Sequence, residues 1–201
     1  LRIFGKERKQ KGVTLIELAV VMAIVGIMAL FVAPAIGEWL NNFHLRQEAR
    51  ERASDLQFAK MKAISTGVRC TVTFNQDVGG TTYCYVIFPD YDNDLILDTA
   101  DYAYDLNGDG IMETVNETNN IFERIEYTER NIFFDSAKGT DGNGLDFPLV
   151  NGYPAISFDR SGLPKDGAGR LTNAESIYIK NNNKRLQITI SPAGRIGINE
   201  Y

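Results

Sequence analysis

Leu18 to Ile36 runs for 19 positions without a charged side chain, reading LAVVMAIVGIMALFVAPAI. A helix needs about 20 such residues to cross a bilayer. Residues 1–12 carry Arg2, Lys6, Arg8, Lys9 and Lys11 against Glu7, a balance of +4. The rest of the chain carries −9, within a net charge of −5. Basic residues before an apolar span hold the N-terminus in the cytoplasm and send the body across. The run is too long for a secretory signal peptide, and Trp39, Leu40 and Phe43 follow where small residues would mark a cleavage site. A plain anchor leaves Glu17 unexplained. A carboxylate at the centre of a membrane helix costs about 2.5–3.5 kcal/mol, less near an end, and it calls for a counter-charge.

Lys11-Gly12-Val13-Thr14-Leu15-Ile16-Glu17 followed by the apolar run resembles the class III leader of type IV pilins and pseudopilins. The resemblance implies cleavage by a prepilin peptidase between Gly12 and Val13 and methylation of the new amine on Val13, where the family usually has Phe or Met. Glu17 then matches the family's Glu, which pairs with the N-terminal amine of a neighbouring subunit during assembly. Opposite charges in an apolar core are tolerable when paired. Pro34 matches a position where pilin helices kink or loosen, since proline removes one helical hydrogen bond.

Beyond the membrane segment, Leu45, Ala49, Ala53, Leu56, Ala59 and Ala63 recur at spacings of three and four and predict one amphipathic face. Arg46, Glu48, Arg50, Glu51, Arg52 and Asp55 fall on the other faces. Thr66-Gly67 ends the helix. His44, the chain's single histidine, reads as a surface helix residue. Strands are expected at 68–74, 81–88, 122–127, 131–134, 155–158, 176–180, 186–191 and 195–198. One long helix followed by short strands is an α+β layout, a long membrane-spanning helix packed on a small antiparallel head. The expected parts are a leader at 1–12, a transmembrane or filament-core helix at 13–37, its amphipathic continuation at 38–66 and a β-rich head at 67–201. Ile156-Ser157-Phe158-Asp159-Arg160-Ser161-Gly162 and Ser191-Pro192-Ala193-Gly194-Arg195-Ile196 resemble segments of minor pseudopilins of the GspH/FimT type.

Cys70 and Cys84 fall on the two arms of the first expected hairpin. A turn centred near Asp77 would set them opposite each other, within reach of a disulfide in an oxidising compartment; two buried thiols are the alternative. The segment 90–117 holds nine acidic residues and no Lys or Arg. Asp90, Asp92 and Asp94 alternate, as do Asp105, Asn107 and Asp109 before Gly110, like the first places of an EF-hand loop. Asn116 stands where a bidentate Glu belongs, with Glu113 or Glu117 as substitutes. Asp98 and Asp101 extend the first cluster. All-oxygen donors favour Ca²⁺, and a solvated acidic turn is the alternative.

No nucleophile elbow, phosphate loop or zinc-protease motif is present, so the chain is not expected to be an enzyme. An acidic body is a poor general binder of nucleic acid. Residues 155–201 nevertheless balance to +3, and Lys184, Arg185 and Arg195 are the candidate DNA contacts, with a solvated sheet edge as the alternative. Three readings remain: a minor subunit of a type II secretion pseudopilus, a type IV pilus minor subunit that primes assembly or binds DNA, and a membrane-anchored Ca²⁺-binding module that does not polymerise. The resemblance implies other pilin or pseudopilin subunits, prepilin peptidase, an inner-membrane assembly platform and membrane lipid as partners. It also implies a single-pass inner-membrane precursor with a periplasmic head that later enters the filament.

Overall fold

A computed structural model describes residues 12–105, 110–127 and 132–201, without the side chains of residues 32–35 and Tyr104. The chain forms two compact units, one ending at Leu40 and the other Asn41–Tyr201. One helix, α1 (Leu15–Thr66), contributes to both.

In the first unit the apolar side chains of α1 are bare: Leu15 is 87% exposed and Leu30 76% exposed. Among the described residues no single helix is long and apolar enough to cross a membrane, although Leu15–Phe31 and Ile36–Thr66 meet that measure as a bent pair. Pro34 lies between these stretches, and its side chain is outside the described residues.

The second unit is the head. After α1 come β1 (Arg69–Phe74), β2 (Asp77–Val78), β3 (Thr81–Thr82), β4 (Tyr85–Asp90), β5 (Asp101–Tyr104), β6 (Glu113–Asn116) and β7 (Glu123–Ile125). There follow β8 (Phe133–Phe134), β9 (Leu149–Val150), β10 (Tyr153–Phe158), β11 (Pro164–Lys165), β12 (Glu175–Lys180), β13 (Arg185–Ile190) and β14 (Ile196–Glu200). One sheet runs β11-β10-β1-β4-β7 with β9 also on β10, a second runs β14-β13-β12-β8, and β2-β3 and β5-β6 are separate hairpins. The pairings are antiparallel.

Leu45, Ala49, Leu56, Ala59 and Ala63 of α1 are buried in one core with Val72, Ile87 and Ile156 of the first sheet and Ile177 and Ile188 of the second. Alanine at three of these helix positions lets sheet side chains approach the backbone. Two charged residues expected on the outer faces are instead inside: Glu48 is 4% exposed and Arg52 5%. They pair one helical turn apart, with Arg52 Nη2 2.9 Å from Glu48 Oε1 and the guanidinium 4.7 Å from the Phe134 ring centre. Burial of the long arginine is tolerated because the carboxylate and the ring face both compensate its charge.

The cysteine pairing is not formed. The first hairpin turns at Gly79 and Gly80, both with positive φ, as the tight turn between β2 and β3 requires. That is later than the Asp77-centred turn expected from sequence, and the register moves with it. Cys70 stands opposite Pro89 on one side and Phe158 on the other. Cys84 sits across from Asn75, whose N–H donates to its carbonyl at 3.0 Å. Five strand positions separate the two sites, about 17 Å along an antiparallel strand, beyond the Cα separation of about 7 Å that a disulfide spans. Both thiols are free and buried.

Candidate functional site

At the start of α1, two backbone–side-chain bonds close a reciprocal cap. The Glu17 N–H donates to Thr14 Oγ1 at 3.3 Å, and the Thr14 N–H donates to Glu17 Oε2 at 3.5 Å. The pattern Thr14-x-x-Glu17 is a capping box, which satisfies donors that a helix end otherwise leaves bare. The Thr-x-x-Glu spacing that marks Thr14 as the capping residue is readable in the sequence. Gly12 and Val13 lie just outside the helix and are exposed. A cut between them would leave an ammonium beside the positive end of the helix dipole, where a cation is disfavoured and a carboxylate in the first turn is favoured. Glu17 is that carboxylate and is exposed. Residues 1–11 of the leader are outside the described residues.

The acidic segment is more structured than a loop. β5 and β6 form a hairpin, with Asp101 opposite Asn116 and Tyr104 opposite Glu113. Glu113, one of the substitute ligands in the twelve-residue frame starting at Asp105, is a strand residue of β6. Asp105 Oδ2 accepts the Gly110 N–H at 2.9 Å, while Asn107 and Asp109 lie outside the described residues.

The first cluster does converge. Asp90, Asp92 and Asp94 each offer a carboxylate oxygen, these lying within 4.8 Å of one another. Asp90, ending β4, is 1% exposed and accepts from Thr71 Oγ1 at 2.8 Å and from the N–H groups of Asp94 and Leu95. Burial pushes its carboxyl up to about 6. The Tyr102 hydroxyl bridges Asp92 and Asp98, at 3.0 and 2.9 Å. Glu117, fully buried, accepts the N–H of Tyr91 at 2.8 Å and of Asp98 at 3.4 Å. Its burial, reinforced by the charges of Asp90 and Asp92, raises it to about 8. Glu117 thus ties the start of the segment to its middle by hydrogen bonds, a role its sequence position alone does not reveal.

The C-terminal basic residues are largely matched inside the head. Lys184 Nζ is 3.1 Å from Glu200 Oε1, which Arg46 also meets at 3.3 Å. Arg185 Nε is 3.5 Å from Asp135 Oδ2. Asp135, fully buried, also takes Lys180 at 2.8 Å and the Tyr201 hydroxyl at 2.9 Å, and the Lys180 bond leads in lowering its carboxyl to about 2. Asp135 accepts the Ala137 N–H locally at 3.2 Å, but its charged and hydroxyl partners Lys180 and Tyr201 lie 45 and 66 residues away. Arg195, immediately before β14, is exposed.

The two motif segments of the head meet. Lys60 Nζ donates to the Gly194 carbonyl at 2.8 Å. A Cβ on Gly194 would lie 2.3 Å from the Gly162 carbonyl oxygen, and one on Gly162 would lie 2.8 Å from Lys60 Cε and Ile64 Cδ1. Both glycines have positive φ.

A family model for the prokaryotic N-terminal methylation motif matches residues 8–33, and one for type II transport protein GspH matches residues 48–194. The crystal structure of the type IV minor pilin FimU of Pseudomonas aeruginosa (strain PAO1) is similar over 79% of this chain and 90% of that one, at 15% identity and a TM-score of 0.36. No curated protein matches the chain. The methylation leader, the apolar helix start and the antiparallel head define a pilin-type subunit with a class III leader motif. The GspH match spans well over half of the sequence, and the chain belongs to that family. It is a minor pseudopilin or pilin subunit, anchored in the membrane before it associates with other such subunits in a filament.

Proposed function

We propose that the chain is a minor subunit of a type II secretion pseudopilus, made as a single-pass inner-membrane precursor and cut by prepilin peptidase between Gly12 and Val13. The observation that carries this reading is the Thr14–Glu17 cap at the mouth of a bare apolar helix. Cleavage places an ammonium on Val13, methylated and still charged, one residue before the cap. Glu17 of an adjacent subunit supplies the counter-charge as the helix passes from lipid to filament core, handed over by the assembly platform. Apolar side chains stay out of water throughout the transfer. The work is assembly, and the charge pairing makes the ammonium and the carboxylate tolerable in an apolar filament core.

The test replaces Glu17 by Gln in cells carrying the filament machinery. The variant keeps the side-chain shape and the hydrogen bond to Thr14 but has no charge. It is expected to be cleaved and membrane-bound yet missing from the sheared filament fraction. Incorporation at the wild-type level would remove the charge-pairing mechanism.

A second element of the reading is Ca²⁺ on the Asp90, Asp92 and Asp94 carboxylates. Their convergence within 4.8 Å supports it, as three of the six to eight oxygens that the ion takes. Ca²⁺ bound there would neutralise the cluster and stiffen the segment leading to β5.

A further inference from the structure

On the head lies an open groove of about 600 Å³ lined by residues of the 140–149 and 166–175 segments. Four carboxylates line it: Asp141, Asp146, Asp166 and Glu175. Arg170 lines it too but is already held by Asp166, with its Nε and Nη2 both 3.0 Å from Oδ2. Among the described residues, Asp146 accepts from neutral groups, the Thr140 hydroxyl at 2.9 Å and the Tyr178 hydroxyl at 3.5 Å. Glu175, half-buried at the start of β12, has no hydrogen bond or ion pair to its carboxylate among the described residues. Its burial and the charges of Asp146 and Asp166 raise it to about 7.

Thr172 lines the same groove and is 6% exposed, and its buried hydroxyl has no hydrogen-bond partner among the described residues. Buried hydroxyls are normally satisfied. Leu149 and Leu171 are about half exposed at the groove, beside buried Phe147. The groove therefore combines unmatched negative charge with apolar surface.

We infer that this groove docks a lysine- or arginine-bearing polypeptide segment with apolar neighbours, the cation meeting Glu175 and Asp146 and the apolar side chains covering Leu149 and Leu171. Charge complementarity selects such a segment. A nucleic acid would be repelled by the same carboxylates. A bare divalent ion fits less well, because the carboxylates close enough to chelate among the described residues are Asp90, Asp92 and Asp94, not these. An ion would also leave both leucines in water. The inference does not depend on the assembly mechanism at Glu17.

The experiment uses the full chain in neutral detergent micelles and three dye-labelled peptides, read by fluorescence anisotropy. One alternates leucine with lysine, one leucine with glutamate, and one serine with lysine. The leucine–lysine peptide is expected to bind, and the other two to bind at least about tenfold more weakly. Glu175→Gln with Asp146→Asn should weaken it about tenfold, and Leu149→Ser with Leu171→Ser severalfold, each variant keeping the wild-type circular dichroism spectrum. Met61→Ser, at an exposed apolar residue of α1, should leave it unchanged. Absence of binding by the leucine–lysine peptide overturns the inference, as does equal binding by the anionic peptide or by both groove variants. The surface leucine variant decides the matter if the carboxylate variant fails to fold.

Discussion

Gly194 and Gly197 stand three residues apart, and the structure gives them opposite fates on substitution. At Gly194 the backbone has φ +71° and an added Cβ would sit 2.3 Å from the Gly162 carbonyl oxygen. The contact is backbone against backbone, so no side chain can swing away. A left-handed conformation costs an L-residue about 1–2 kcal/mol, and forcing an extra methyl into a packed site costs about 1–3 kcal/mol. Gly194→Ala should therefore lose about 2–5 kcal/mol and also strain the bond from Lys60 Nζ to the Gly194 carbonyl. For a unit the size of the head, that is a fall in Tm of about 4–20 °C. Gly197 lies within β14, and nothing stands within 4 Å of its added Cβ. Gly197→Ala should stay within about 0.5 kcal/mol of the parent. The assay is thermal unfolding of the full chain in micelles, followed by near-ultraviolet circular dichroism of its tyrosines. If Gly194→Ala melts with the parent, or Gly197→Ala falls as far, the Gly162–Gly194 contact is not what holds these two segments together.

Stability should also vary with pH. Asp90, Glu175 and Glu117, at about 6, 7 and 8, hold their protons longer in the folded head than in the unfolded chain, whose carboxyls titrate near 4. Their contribution is full below that value and is lost as pH rises through 6 to 8. Asp135, lowered to about 2, contributes above the unfolded value and loses its contribution as pH falls towards 2. A melting series should therefore peak near pH 4–5 and decline towards pH 8; a rise from 5 to 8 would contradict the burial of these groups. Adding millimolar Ca²⁺ at pH 8 should recover part of the loss, and an unmoved Tm would remove the metal from the Asp90 cluster. Arg52→Ala removes the buried ion pair between Arg52 and Glu48 and should cost about 3–5 kcal/mol by urea titration. Arg52→Met with Glu48→Met should recover most of that, since Arg52 Nη1 is itself buried without a partner among the described residues; a single variant costing under about 1 kcal/mol would refute the accounting.

Much of this was legible along the chain. The apolar stripe of α1 appears where its spacing placed it, because helix periodicity is local and one face had to meet the sheets. The strands at 69–74, 175–180 and 185–190 follow their alternation in the same way. Turn chemistry decided the first hairpin: Gly79-Gly80 supplied the positive φ that Asp77 did not, and the disulfide expectation failed with the shifted register. The β5–β6 hairpin was hidden by its own charge, since acidic residues on an exposed ribbon mask the alternation that marks a strand. Glu48 and Arg52 escaped notice because charge alone argues for the surface, and only tertiary packing reveals a pair that compensates itself. Asp135 and Glu117 escaped for a related reason: their partners are brought to them by the fold. At the candidate assembly site the limit was different. Glu17 stood out as a carboxylate in an apolar setting, while Thr14, its capping partner, needed only the four-residue spacing.

The proposed assembly mechanism requires a free amine on Val13. Intact mass spectrometry of the chain recovered from membranes of cells that contain prepilin peptidase tests this directly. The predicted mass is that of a polypeptide beginning at Val13 with one added methyl group. A chain that keeps Gly12 and the residues before it would show that no such amine forms.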